Sequence, residues 1–158
     1  MAINPNTDFS SGAVLTAAQQ NRFPRGVMAL ATSTTSYTLT TSEVIATGMT
    51  VTFTAVANRY YRITYFEPQA QTATFNSNTQ LTLRQTNAAG TVLQNTIFQN
   101  ESAALDQQGM TCIRTMTFTA GSITVVGTAK CSATTGAPQL IRDSTRQAQL
   151  LIEDIGPA

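Results

Sequence analysis

The sequence predicts an all-β fold: an antiparallel β-sandwich or jelly roll of about 8–10 strands, preceded by a short N-terminal arm containing a helical turn. Three observations predict it. Threonine makes up about one residue in five, and its branched Cβ suits a pleated surface. It alternates with apolar residues, as in Met49-Thr50-Val51-Thr52-Phe53-Thr54-Ala55. That period of two puts hydroxyls on one face of a strand and apolar groups on the other. Turn residues also recur between such runs, while no fixed repeat of the solenoid kind is present. A chain of 158 residues holds one such domain with a real core.

Residues 1–25 lack the alternation and read as an arm, and 26–158 as the sandwich domain. Within the arm, Gly12 to Asn21 reads as a short helix. Thr16 and Gln19 have the spacing of a capping box, in which hydroxyl and amide satisfy free backbone N–H groups at a helix start. Pro24 stops it, because the residue before a proline avoids helical backbone. Phe9, Val14, Leu15 and Phe23, with Arg25, are the candidate docking residues; the alternative is a disordered tail.

Strands are expected near 27–32, 36–40, 49–56, 59–66, 72–76, 79–86, 91–99, 110–120, 123–131 and 147–155. Ala57-Asn58 joins two of them tightly. Asn87-Ala88-Ala89-Gly90 makes a four-residue connection whose glycine suits a positive φ. Gly121-Ser122 is placed at the centre of a hairpin, so that Phe118 faces Val125, Met116 faces Gly127 and Cys112 faces Cys131 in one sheet. The segments 99–109 and 132–146 read as longer loops, either crossing between sheets or exposed for binding.

Little in this chain points to catalysis. It has no histidine, which removes the commonest general base and most zinc sites. Of eight carboxylates, only Glu153 and Asp154 are adjacent, and strand geometry turns them to opposite sides. A long-range pair such as Glu43 with Glu67 stays open, although scattered surface charges are the favoured reading. No cofactor or metal is expected. Cys112 and Cys131 are favoured as buried thiols over a disulfide, since a hydrogen-bonded strand pair fits disulfide dihedrals poorly. Tyr61, Ile63 and Tyr65 share a face and fill the core, with a carbohydrate-stacking platform as the alternative. Arg59 and Arg62 either pair with Glu67 or, together with Tyr60, form a subunit interface.

Charge narrows the partners. Only 11% of residues are charged and the net charge is +1, against a typical charged share of about 25%. With a single lysine and no basic run, nucleic acid is not an expected partner. No apolar run reaches the ~18 residues that span a membrane. The first residues lack the basic and apolar regions of a signal peptide, so synthesis in the cytoplasm is expected.

Ser11 to Asn21 followed by Phe23-Pro24-Arg25-Gly26-Val27 resembles the opening of small accessory virion proteins of tailed bacteriophages. The block Gly48 to Phe53 through Ala57-Asn58-Arg59-Tyr60-Tyr61-Arg62-Ile63 is similar too, as is the ending Leu150 to Pro157. The resemblance implies a β-sandwich or jelly-roll knob, usually trimeric, displayed on the particle by its arm. The expected function is therefore a non-enzymatic structural protein of the virion, a trimeric capsid decoration or cement knob contacting the major capsid or tail proteins. The alternative is a tail-fibre or baseplate receptor-binding knob, with loops 67–71, 99–109 or 132–146 on host surface glycans. An enzyme and a secreted adhesin are weaker readings.

Overall fold

Alternating strands need a partner for their apolar side, and here two sheets supply it to each other. The computed structural model describes residue 12 and residues 14–158. Its elements are a helical turn α1 (Ala17–Gln20) and ten strands: β1 (Gly26–Ser33), β2 (Tyr37–Thr38), β3 (Val44–Ala55), β4 (Arg59–Thr72), β5 (Asn78–Gln85), β6 (Val92–Gln99), β7 (Asp106–Thr117), β8 (Gly121–Cys131), β9 (Gln139–Leu140) and β10 (Ala148–Pro157).

The first sheet runs β1-β10-β4-β7, all antiparallel. Short β9 shares the β10 edge of β4, and β2 pairs with β9. The second sheet runs β3-β8-β5-β6. Setting aside the two-residue strands, the order is first-eighth-third-sixth against second-seventh-fourth-fifth. That interleaving is a jelly roll, in which neighbouring strands come from distant parts of the chain.

The inward faces follow the alternation. Met49, Val51, Phe53 and Ala55 of β3, Tyr61, Ile63 and Tyr65 of β4, Leu81 and Leu83 of β5, and Leu150 and Ile152 of β10 are buried. Phe53, Tyr61 and Phe118 close one end, with ring centroids 5.1 to 5.9 Å apart. The Tyr61 hydroxyl accepts from the Val56 N–H at 2.8 Å. The phenol therefore satisfies a backbone group as β3 leaves its sheet.

Several expectations are corrected. β7 and β8 do not form a hairpin within one sheet. β7 pairs with β4, β8 pairs with β3 and β5, and residues 118–120 carry the chain from one sheet to the other. Both strands keep the inward faces read from the alternation, but those faces meet across the sandwich. Cys112 therefore sits opposite Tyr65 and Cys131 opposite Thr79. The expected strand at 72–76 is instead the end of β4 and a turn, with Asn76 at φ 56°. Ser77 donates to the Thr74 carbonyl there through both its N–H, at 3.1 Å, and its Oγ, at 2.6 Å, which closes the turn. The expected strand at 36–40 shrinks to Tyr37–Thr38, and the loop at 99–109 shortens because β7 begins at Asp106.

Asn58, at φ 59°, turns the chain between sheets rather than within one. In the β5–β6 connection the positive φ falls on Thr86, not Gly90. Gly90 is needed for closeness instead, because a Cβ there would run into the Gln85 carbonyl.

β7 is an edge strand. Its Arg114 lies opposite inward-facing Ile63 in register, yet is exposed. An inward-pointing charge on an edge strand discourages pairing with a stray strand.

Gly127 shows how tightly the sheets approach. An added Cβ would meet the Tyr65 ring at 2.9–3.0 Å, and both residues are fully buried. Gly127→Ala should cost about 1–3 kcal/mol, read as a lower denaturant midpoint at unchanged slope. A midpoint equal to that of the parent would show that the ring can move aside.

Candidate functional site

The arm is fastened at its base. α1 begins with the expected capping box: Gln19 N–H donates to Thr16 Oγ1 at 3.2 Å, and the Thr16 N–H donates to Gln19 Oε1 at 2.9 Å. Beyond it the chain runs into the Arg59 guanidinium. Arg59 donates to the carbonyls of Asn21 and Phe23, each at 2.6 Å. It also donates to Asp154, through Nη2 at 2.8 Å and through a short Nε bond. Asp154 also accepts the Gly156 N–H at 3.0 Å.

Both side chains are buried. The pairing with Glu67 expected for Arg59 is therefore corrected: its carboxylate partner is Asp154, while Glu67 is taken by Arg142. Arg62 differs. It pairs at 2.7 Å with Glu153, directly across the β4–β10 ladder on the outer face, and stays about half exposed. Tyr60 lies nearby, partly exposed.

Of the candidate docking residues, Phe9 lies outside the described residues. Val14 is 90% exposed, and Leu15, Phe23 and Arg25 are also exposed. The outer face of the first sheet adds a row the sequence reading missed. Leu30, Leu151, Thr64 and Ile113 stand side by side on β1, β10, β4 and β7. Leu30 and Ile113 are more than half exposed. The alternation marked these positions as outward, and the cross-strand pairing aligned them.

Glu67 faces the interior of the sandwich. Arg142 grips it with Nε at 2.9 Å and Nη2 at 2.5 Å, and neither side chain is exposed. Arg142 also donates to the Thr47 carbonyl at 2.7 Å and more weakly to that of Thr35. The Tyr65 hydroxyl donates to Glu67. Burial, then the neighbouring Glu67 carboxylate, push the Tyr65 phenol well above its ordinary value. Glu43 has its own arginine, Arg84, at 2.6 and 2.8 Å, together with the Thr128 hydroxyl. The two carboxylates that the sequence left open as a pair are thus each bound to a separate guanidinium.

Cys112 and Cys131 are buried free thiols. Burial pushes Cys112 up to about 11 and also raises Cys131. Thiolates, the reactive form, are therefore scarce at neutral pH. Among the described residues no group of three His, Cys, Asp or Glu side chains could hold a metal ion.

A groove of about 350 Å³ opens on the outer face of the first sheet, between Phe66 and Pro68 of β4 and the segment 144–149. Asp143 organises its wall by accepting from the Thr145 and Arg146 N–H groups, each at 2.8 Å. It also pairs with the Arg146 guanidinium at 2.6 Å. Arg146, then the Thr145 hydroxyl, hold its carboxyl well below the usual carboxylate range. Arg146 also reaches across to Gln69 on β4.

No protein-family model matches this chain, and no curated protein matches it. Solved structures resemble it only loosely. Eiger TNF from S. frugiperda is 11% identical, with 84% of this chain and 95% of that chain covered at a TM-score of 0.40. Dimeric latent PorU from Porphyromonas gingivalis is 11% identical over 84% of this chain, at a TM-score of 0.38. This chain spans 13% of the PorU chain. A CBM4 structure is 15% identical over 80% of this chain and 92% of its own, at a TM-score of 0.25. Scores this low transfer no function.

Two predictions test the charge networks. Arg142→Met should destabilise by about 3–5 kcal/mol, because Glu67 would remain buried without its partner. Adding Glu67→Gln should recover part of that loss in a denaturant-based double-mutant cycle. Glu43 concerns acid. The Arg84 hydrogen bond lowers its pKa from the ordinary 4.5, so its stabilising contribution is complete above that value and fades as pH falls through the depressed folded pKa. Acid unfolding of Glu43→Gln should show a shallower loss below about pH 4.5 than the parent. Identical acid slopes would remove Glu43 from the account.

Proposed function

We propose that this chain is a non-enzymatic structural protein of a tailed-phage virion, a capsid decoration knob that assembles as a trimer and attaches through its N-terminal arm. One observation carries the reading. Arg59 and Asp154 clamp the base of the arm to the jelly roll, while Val14 and Leu15 remain exposed. The ion pair ties the root of the segment down, and the adjacent Val14 and Leu15 side chains stay available for contact with another surface.

Burying such side chains on a shell contributes ~25 cal/mol per Å² before association costs. Three arms on one trimer would turn weak contacts into tight attachment. The outer row of Leu30, Leu151 and Ile113 offers further apolar area for contact between copies. The low charge of the chain limits long-range repulsion between them. The blocks in which the sequence resembles accessory virion proteins of tailed phages support the same reading.

The clamp also guides the experiment. Removing residues 1–15 leaves the capping box and both Arg59 acceptors in place. The truncated protein should melt like the parent and fail to join particles. Removing residues 1–25 should cost an additional ~2 kcal/mol or more, because Arg59 loses two carbonyl partners. Normal incorporation of the shorter truncation would overturn the arm mechanism. Copy number per particle, measured by quantitative mass spectrometry, separates a shell location (many copies) from a tail location (few).

A further inference from the structure

We propose that the groove between Phe66 and the 144–149 segment is a binding site for a neutral sugar unit of a glycan. This goes beyond the docking reading and does not require it.

Size comes first. About 350 Å³ lies at the lower end of the 300–1,000 Å³ typical of small-molecule sites. That suits one or two sugar rings better than an extended polymer segment. The groove mixes apolar and polar surface. Phe66 and Pro68 offer apolar area for the C–H face of a pyranose, while Ser144, Arg146, Gln147 and Gln149 bring hydroxyl, guanidinium and amide groups that match sugar hydroxyls. Gln149 and Phe66 are direct cross-strand partners, so amide and ring stand side by side.

Rigidity follows from the loop. Asp143 accepts from the Thr145 N–H and hydroxyl, the Arg146 N–H and the Arg146 guanidinium, all at 2.6–2.8 Å. Arg146 is held from the other side by Gln69. The polar wall is therefore set before any ligand arrives, which lowers the entropic cost of binding.

Charge selects the class of ligand. The guanidinium in this wall already faces the Asp143 carboxylate. The site is close to neutral and offers no uncompensated cation to an acidic sugar or a phosphate.

Position completes the case. The arm root is at Arg59 and Asp154, and the groove is at Phe66 and Gln149 on the same two strands. Seven residues of β4 separate them, roughly 23 Å at the strand rise. The groove thus lies midway along β4 and at the far end of β10, well clear of the arm root.

The test is titration of isotope-labelled protein with neutral disaccharides (maltose, lactose, cellobiose, diacetylchitobiose), followed by amide NMR shifts. Sialyllactose and a neutral peptide serve as contrasting probes. At least one neutral sugar should shift residues 66–69 and 143–149 saturably. Gln149→Ala and Arg146→Ala should each weaken binding about fivefold or more, the worth of one hydrogen bond. Both sites are at the surface, and Gln147→Ala provides a further variant if one of these misfolds. Asp143→Asn should weaken binding by loosening the wall. The chain lacking residues 1–15 should bind as the parent does, so failure of the arm mechanism and failure of the sugar site are separable. The proposal falls if no neutral sugar shifts these residues, if the shifts map elsewhere, if the variants bind unchanged, or if sialyllactose or the peptide binds better.

Discussion

The buried pair of Arg142 and Glu67 is the constraint around which the rest of the molecule is arranged. Two charges with no solvent exposure are expensive to bury, and they persist only when geometry and hydrogen bonding are nearly complete. Here the guanidinium meets the carboxylate with two bonds and sends a third donor group to backbone carbonyls at Thr47 and Thr35. The carboxylate also receives the Tyr65 hydroxyl. One side chain thus ties together the far half of β4, the irregular middle of β3, the segment after β1 and the loop before β10. Tyr65 is held between that carboxylate and the backbone of Gly127, which leaves no space for a side chain on β8.

The same chemistry recurs in two other places with different consequences. Arg59 and Asp154 hold the arm to the end of the first sheet, and Arg84 and Glu43 cover part of the outer face of the second. All three use arginine, whose planar fork can satisfy a carboxylate and one or two carbonyls at once. Three of the eight arginines, Arg59, Arg84 and Arg142, act as internal fasteners in a chain with few charges. Much of the outer surface is threonines, amides and scattered apolar side chains.

This division gives the knob a direction. Arm, clamp and the start of β1 lie at one end of the first sheet. The rigid 143–147 loop, positioned by its neighbour Arg142, lies at the other. The proposed docking arm and the proposed sugar groove would therefore act from different ends of this sheet. Arg59, Arg84 and Arg142 are each paired with a carboxylate, and the two thiols are buried.

Much of this was determined by the residue order alone. The period-two alternation identified the strands and their inward faces, including Tyr61, Ile63 and Tyr65 and the greasy sides of β7 and β8. The Thr16–Gln19 spacing announced the helix cap, because both partners lie within one helical turn. Tertiary structure decided what alternation cannot express. A strand with one apolar face is equally satisfied beside a neighbour or across from it, so the sequence could not say that β7 and β8 belong to different sheets. Nor could it say which acid each arginine would take. Arg59 with Asp154 and Arg142 with Glu67 are 95 and 75 residues apart, and only the jelly-roll crossovers bring them together.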